Sequence, residues 1–129
     1  MVDIGSHSHT HRNFRGRPEA LRQDLLTSLS LLEVHLGPGP RTFSFPYGSA
    51  RSASGAFTDA SLVETVRSCG VSCALNTEIA LADPAISPYT WGRLEVIDTD
   101  TSATLRAKLE GWYSWMGTAR QAYRRLLPA

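Results

Sequence analysis

Five leucines recur at helical spacing in the first third of the chain, and they constrain the fold more than any other feature. Pro18 suits the first turn of a helix, and Glu19 lies where the helix dipole favours an acidic side chain. A Gly-Pro-Gly-Pro segment at 37–40 then stops the pattern. We therefore predict a helix of about five turns. Its apolar stripe, with spacings of four, four, three and four, consists of Leu21, Leu25, Leu29, Leu32 and Leu36.

Strand-like segments alternate with helices along the chain. Four short apolar segments are predicted as strands: Val2–Ile4, Thr42–Phe45, Val71–Leu75 and Arg93–Ile97. Phe43 and Phe45 would share one face of the second strand, because side chains alternate along a strand. This order predicts the α/β class with a largely parallel sheet.

Two further helices are predicted after the leucine helix. One has an apolar face formed by Leu62, Val63 and Val66, and it ends near Gly70. Its start resembles a capping box at Ser61 and Glu64, with Thr58 or Asp59 as alternative caps. The other follows cap residues within 98–101 and would run until Gly117. Its predicted apolar face consists of Leu105, Leu109, Trp112 and Met116.

Length and charge exclude several classes of protein. The chain has 129 residues, which favours one domain, and its 13 basic and 12 acidic side chains give a net charge of +1. This balance argues against a nucleic-acid partner. No apolar run reaches the length of a membrane span. The segment 1–5 lacks the pattern of a signal peptide, which by default predicts a cytoplasmic protein.

Cysteines and histidines are the residue types that most often bind transition metals, and here only the histidines are candidates. Cys69 and Cys73 have neither zinc-knuckle nor redox spacing, so we interpret them as small buried residues in a reducing compartment. The histidines are different, because His7, His9 and His11 lie within five residues, directly after a predicted strand. On a helical turn His7 and His11 would share a face, and on an extended strand all three would. Both geometries permit chelation, and neutral imidazole is the commonest metal ligand.

Two motifs resemble those of a known family. The first is Gly5-Ser6-His7-Ser8-x-x-His11, and the second is Phe43-Ser44-Phe45-Pro46-Tyr47-Gly48, at a similar distance along the chain. Together they resemble the polysaccharide deacetylases, the NodB-homology group also called carbohydrate esterase family 4. Ser28 on the leucine helix fits this resemblance. The segment 93–96 and the residues after it are similar to the end of members found with exopolysaccharide gene clusters.

The resemblance implies a fold and a domain organisation. A complete (β/α)8 barrel needs about 250 residues, roughly twice the length of this chain. The resemblance therefore implies a partial (β/α) barrel of the glycoside hydrolase/deacetylase type, missing its N-terminal strands. Residues 1–129 would form a single partial NodB-homology domain.

The resemblance also implies a chemistry, the removal of acetyl groups from an N-acetylated polysaccharide or oligosaccharide. His7 and His11 would bind a divalent metal, Zn²⁺ by ligand type. The backbone N–H of Tyr47 would stabilise the oxyanion. Pro46 and Gly48 would shape that turn against the substrate, and Ser8 would orient a ligand or line the site.

The chain departs from the family pattern in three places. The family's first motif, an Asp-Asp pair that supplies the base and the third metal ligand, has no counterpart here. Ser44 stands where the family has Arg, and no Leu-x-His motif follows, since the last histidine is His35, predicted as solvated or capping. We therefore expect little or no activity from the chain alone. The alternatives are a degenerate module that binds metal or glycan, and a chain that needs a second copy or an N-terminal partner segment.

Overall fold

A computed structural model describes residues 4–48 and 59–116 of the chain. The described part contains three α-helices and two β-strands, joined by loops and two short 3-10 turns. In chain order the elements are α1 (Pro18–Leu36), β1 (Thr42–Ser44), the turn Pro46–Gly48, α2 (Ala60–Ser68), β2 (Cys73–Leu75), the turn Pro88–Thr90 and α3 (Ser102–Leu109).

Helix α1 confirms the prediction from the leucine stripe. It begins at Pro18 and ends at Leu36, and Gly37 follows with a φ of 77°. Leu21 and Leu25 are completely buried, whereas Leu36 at the other end is half exposed. The stripe therefore anchors the helix to the core through its first three turns.

The two strands pair in parallel, and their neighbours extend the same arrangement. Phe43 of β1 lies opposite Ala74 of β2. Single parallel bridges add Ser6 beside Phe43 and Trp91 beside Leu75. Four chain segments thus lie side by side in sequence order. This confirms the α/β class with parallel pairing, although the described sheet itself has two strands.

The hydrophobic core lies between the sheet and the first two helices. Its fully buried centre includes Phe43 and Phe45, whose ring centroids are 5.0 Å apart, as expected for two residues on one face. Helix α2 contributes Leu62 and Val66, both completely buried in this core. Among the described residues, the members of this core are Phe14, Leu21, Leu25, Phe43, Phe45, Leu62, Val66, Val71 and Ala74.

Helix α2 is capped by one of the predicted alternatives. Asp59 is the N-cap, and its carboxylate accepts hydrogen bonds from the backbone N–H and the hydroxyl of Ser61. The predicted capping box at Ser61 and Glu64 is therefore wrong, because Ser61 already lies inside the helix. A carboxylate accepts the free N–H groups of the first turn more strongly than a hydroxyl does.

Two predicted strands differ from the structure. The segment Arg93–Ile97 is irregular, because pairing with β2 stops at Trp91 and leaves Val96 and Ile97 exposed without a neighbouring strand. Of the predicted strand Val2–Ile4, only Ile4 is described, and it is exposed and not part of a strand. Pairing occurs two residues later, at Ser6.

Helix α3 is shorter than predicted. The cap is Thr101, inside the predicted range, but the helix ends at Leu109 and buries none of its residues. Gly111, with a φ of 81°, interrupts the helical path that was predicted to reach Gly117, a residue outside the described part. Leu109 and Trp112 are consequently exposed. No helix in the described ranges is long and apolar enough to cross a membrane.

Candidate metal centre

The candidate site begins where the first parallel segment leaves the sheet. The backbone N–H of Ser6 donates to the carbonyl of Thr42 at 2.8 Å, and the Ser44 N–H donates to the Ser6 carbonyl at 2.9 Å. Gly5 permits this pairing, since a Cβ there would lie 3.0 Å from the Thr42 carbonyl oxygen and 2.2 Å from the Thr42 hydroxyl. The histidine loop therefore starts at the carboxyl end of parallel strands, where open α/β folds commonly place their sites.

His7 is held in one orientation by the strand beside it. Its Nδ1 lies 2.8 Å from the carbonyl oxygen of Ser44. A carbonyl oxygen only accepts hydrogen bonds, so Nδ1 is the protonated nitrogen and Nε2 presents a lone pair. A backbone carbonyl on the far nitrogen is the support that metal-binding histidines commonly have.

His11 approaches the same lone pair. The Nε2 atoms of His7 and His11 are 3.2 Å apart, and the two ring centroids are separated by 4.9 Å. Two nitrogens that share one tetrahedral zinc ion at the usual bond lengths are about 3.3 Å apart. The spacing of this histidine pair therefore fits a single bound cation.

Backbone strain is concentrated in the same loops. Among the described residues, the non-glycine residues with positive φ are Ser8 (71°), His11 (51°) and Tyr47 (55°). Each belongs to the predicted site, and such conformations persist where the surrounding structure imposes them. The loop is thus neither the helical turn nor the extended strand considered from sequence. Ser8 fixes the bend by accepting the His11 backbone N–H on its hydroxyl at 2.8 Å.

Asp24, on α1, supports the histidine loop through hydrogen bonds, and it was not identified from the sequence. Its carboxylate accepts the backbone N–H groups of His9 (2.7 Å) and Thr10 (3.0 Å), and also the Thr10 hydroxyl. Asp24 lies on the buried face of α1, between Leu21 and Leu25. A carboxylate on an apolar stripe is the signal in the sequence that would have identified it.

A second polar pair ties the loop to the same helix. The hydroxyls of Ser6 and Ser28 are 2.8 Å apart and buried. The Ser6 hydroxyl also accepts the Ser8 backbone N–H at 3.3 Å. Ser28, noted from sequence only for its place on the helix, therefore contacts the first motif directly.

The second motif forms a tight turn beside the histidines. Pro46 and Gly48 are buried in the 3-10 turn that follows β1, while the Tyr47 side chain is exposed. The Tyr47 ring lies against His11, with centroids 4.8 Å apart. The structure therefore brings His7, Ser8 and His11 together with the Pro-Tyr-Gly turn, the set predicted from sequence.

The remaining candidate ligands lie elsewhere. In residues 4–48 and 59–116, no group of three His, Cys, Asp or Glu side chains is arranged to hold a metal ion. His9 is exposed, and its backbone N–H is the group that contacts Asp24. Cys69 and Cys73 are free and half-buried, and burial raises the pKa of both thiols, which disfavours the thiolate.

Comparison with known proteins identified a matching family. The model of the polysaccharide deacetylase family matches residues 2–74, more than half of the chain. The chain belongs to the polysaccharide deacetylase family. The match includes both motifs, α1, β1 and α2, ends within β2, and thus confirms the resemblance seen in the sequence. No significant match was found among curated proteins or among solved structures.

Proposed function

We propose that this polysaccharide deacetylase domain uses a divalent metal, held by His7 and His11, to hydrolyse the N-acetyl groups of an N-acetylated glycan. The observation that carries the proposal is the 3.2 Å approach of the two Nε2 atoms, with the opposite nitrogen of His7 committed to the Ser44 carbonyl. Zn²⁺ suits imidazole ligands and is the metal that we propose.

The metal, when bound, would polarise the amide carbonyl and lower the pKa of a water molecule. The protein's own residues would hold the site in shape. Ser44 fixes the His7 tautomer, Ser8 fixes the bend that carries His11, and Asp24 holds the intervening backbone. These contacts would hold the two Nε2 atoms 3.2 Å apart, and the metal would take the place of the proton that His11 Nε2 donates to His7 Nε2 in the metal-free chain.

The Pro-Tyr-Gly turn would serve the substrate side of the reaction. We assign the backbone N–H of Tyr47 to the oxyanion that develops when the amide is attacked. Pro46 and Gly48 would shape this turn. The contact between the rings of Tyr47 and His11 supports a position for the turn beside the histidine pair. Preorganised donors of this kind commonly contribute about 10²–10³ in rate.

Zinc binding tests the metal proposal. Calorimetric titration of the full chain with Zn²⁺ should show one site, and His7→Ala or His11→Ala should abolish it. His9→Ala is the matched control, because this side chain lies in the same loop and outside the pair. Equal zinc affinity in all three variants would contradict the assignment of the ligands.

Activity of the chain alone is expected to be very low. Loss of a general base typically costs about 10²–10⁴ in rate, and the described residues hold no third ligand at the histidine pair. An assay of acetate release from an N-acetylglucosamine oligomer, with added zinc, measures this directly. Rapid zinc-dependent release that His7→Ala abolishes would overturn the expectation of inactivity while supporting the metal pair.

The same two-histidine arrangement supports a second candidate, a non-catalytic module that binds metal or glycan. In this case zinc should bind, acetate release should stay at background, and the oligomer should bind reversibly. Addition of a polypeptide that carries an Asp pair distinguishes the candidates. A deacetylase domain should gain activity in its presence, whereas a binding module should not.

Three wider expectations belong to the same proposal: a partial (β/α) barrel, a glycan as the main partner, and association with a second copy or an N-terminal segment. Exposed apolar side chains near α3, such as Leu109 and Trp112, support association. Size-exclusion chromatography of the full chain should then show a dimer or a mixture of sizes. A clean monomer at high concentration would contradict self-association.

A further inference from the structure

A cavity of about 600 Å³ lies beside the candidate metal centre and has no role in the proposed function so far. Its walls combine apolar side chains from the loop after β2 with others near α3, including Ile79, Leu94, Ile97 and Met116. Thr77, which also lines it, packs against the Pro-Tyr-Gly turn, where a Cβ on Gly48 would lie 2.4 Å from the Thr77 hydroxyl. Thr77 therefore contacts both the cavity and the turn beside the histidines.

Arg93 connects the cavity with the His7–His11 pair. Its guanidinium donates a hydrogen bond to the Ser44 hydroxyl, and the carbonyl of the same Ser44 accepts from His7. Arg93 also lines the cavity. Ser44 therefore links the two sites: its hydroxyl contacts the guanidinium that would bind the ligand, and its carbonyl contacts His7.

The backbone around Arg93 is fixed, although the segment forms no strand. The Arg93 N–H donates to the Glu78 carbonyl at 2.8 Å, and the Asn76 N–H donates to the Trp91 carbonyl at 2.8 Å. A Cβ on Gly92 would lie 2.6 Å from the Glu78 carbonyl oxygen, so the two segments are in close contact. These backbone contacts fix the position of the main chain at Arg93.

The charge of Arg93 has no counter-ion among residues 4–48 and 59–116, where the ion pairs are Glu64–Arg67, Arg106–Glu110 and Asp100–Lys108. Lys108 also lines the cavity, but its ammonium already contacts Asp100 and the Glu95 carbonyl. Glu95 also lines the cavity, but it is exposed and forms no ion pair with Arg93 in this part of the chain. Arg93 is half-buried and donates to one neutral hydroxyl, while a guanidinium carries five N–H groups.

We propose that Arg93 and this cavity form a carboxylate-binding subsite next to the His7–His11 pair. A planar guanidinium with free N–H groups matches a carboxylate with two parallel hydrogen bonds, and the apolar walls would strengthen the attraction. Two carboxylates are relevant, a uronic acid unit of an acidic glycan and the acetate released by hydrolysis. Their relevance rests on the proposed function, whereas carboxylate binding itself does not.

Binding to the metal-free full chain tests the subsite, because removing zinc prevents the histidine pair from capturing the anion. Sodium glucuronate and sodium acetate are titrated separately, with neutral N-acetylglucosamine as a third probe, and backbone amide NMR signals of Thr77 and Leu94 are followed. Glucuronate binding is expected to shift these signals. Shifts from acetate alone would assign the subsite to the product, and shifts from both would fit either source.

Substitution identifies the group responsible. Arg93→Gln should weaken carboxylate binding by at least about tenfold, the loss expected for one charged hydrogen bond. Arg106→Gln removes an equal charge from an exposed position on α3 and should change nothing. Arg93→Lys should retain charge but lose the paired geometry, and so bind with intermediate affinity.

Two results would overturn the proposal. One is the absence of amide shifts in the wild-type protein with both carboxylates, which needs no variant to fold. The other is equal carboxylate affinity in Arg93→Gln and Arg106→Gln. Because zinc binding by His7 and His11 is measured separately, either result leaves the proposed function standing.

Discussion

The two parts of the described chain differ in how they are held together. Between Phe14 and Ala74, nine apolar side chains are buried, two helices pack together and two strands pair. From Thr77 onward, the described part contains no buried apolar residue, and both Leu109 at the end of α3 and Trp112 after it are exposed. The family match covers residues 2–74, which is nearly the same boundary. The part of the described chain up to Ala74 therefore carries the motifs, the histidine pair and the core, and the later part supplies the wall of the cavity.

The largest expected contrast comes from two leucines. Leu25→Ala, in the core, should lower the free energy of unfolding by about 2–5 kcal/mol, because it leaves a cavity among fully buried neighbours. Leu109→Ala, on exposed α3, should change it by less than about 0.5 kcal/mol. Urea unfolding followed by circular dichroism measures both. Equal losses would show that α3 packs as firmly as α1, and would remove the distinction between the two parts.

Two aspartates sharpen the comparison at the level of polar contacts. Asp24→Asn should cost about 1–3 kcal/mol of stability, because the buried carboxylate holds two backbone N–H groups of the histidine loop. It should also weaken zinc binding, since the loop that carries His11 loosens. Asp100→Asn breaks the contact with Lys108 in the later part and should leave zinc affinity unchanged. Loss of zinc affinity in the Asp100 variant alone would contradict this account.

Helix caps give the smallest contrast. Asp59→Ala should cost about 1 kcal/mol in global unfolding, because α2 packs in the core. Thr101→Ala removes a comparable cap from α3 and should unwind that helix locally, without shifting the global transition. Hydrogen exchange separates local from global opening. A global shift from Thr101→Ala that matches the Asp59 effect would refute the distinction.

The Asp59 cap should also depend on pH. The Ser61 hydroxyl donates to this carboxylate and holds the pKa of Asp59 below its usual range. A lowered pKa in the folded state means that the stabilisation is complete above the ordinary carboxyl pKa and is lost as pH falls through the lowered value. Asp59→Asn keeps an oxygen cap that does not titrate. The stability difference between wild type and Asp59→Asn should therefore shrink in acid, and a constant difference would exclude this mechanism.

Predictions from the sequence were more accurate for the elements before Ala74 than for those after it. Helix α1 was predicted at its observed ends because Pro18, the buried leucines and Gly37 all act on the same element. The prediction of a strand at Arg93–Ile97 was wrong, because its apolar residues have no partner strand in the described part of the chain. A strand is stable only when it pairs with another. A pattern of side chains predicts an element well where burial enforces that pattern.

The site shows a similar limit. The motifs predicted His7, His11 and the Pro-Tyr-Gly turn from spacing and resemblance, and the structure brings these residues together. Asp24 and Arg93 were missed as site residues because each acts through a contact with a distant segment. Asp24 holds a backbone 14 or 15 residues away, and Arg93 reaches a hydroxyl 49 residues away. Sequence spacing alone does not contain such contacts.

The most direct test of the central claim is the protonation state of the two histidine rings, read from nitrogen-15 NMR of the imidazoles with and without zinc. The account predicts that His7 carries its proton on Nδ1 before zinc is added, because the Ser44 carbonyl accepts it. One equivalent of zinc should then shift the Nε2 signals of His7 and His11 together and leave those of His9 in place. A His7 proton on Nε2, or zinc shifts that include His9 and omit His11, would contradict the proposed metal pair.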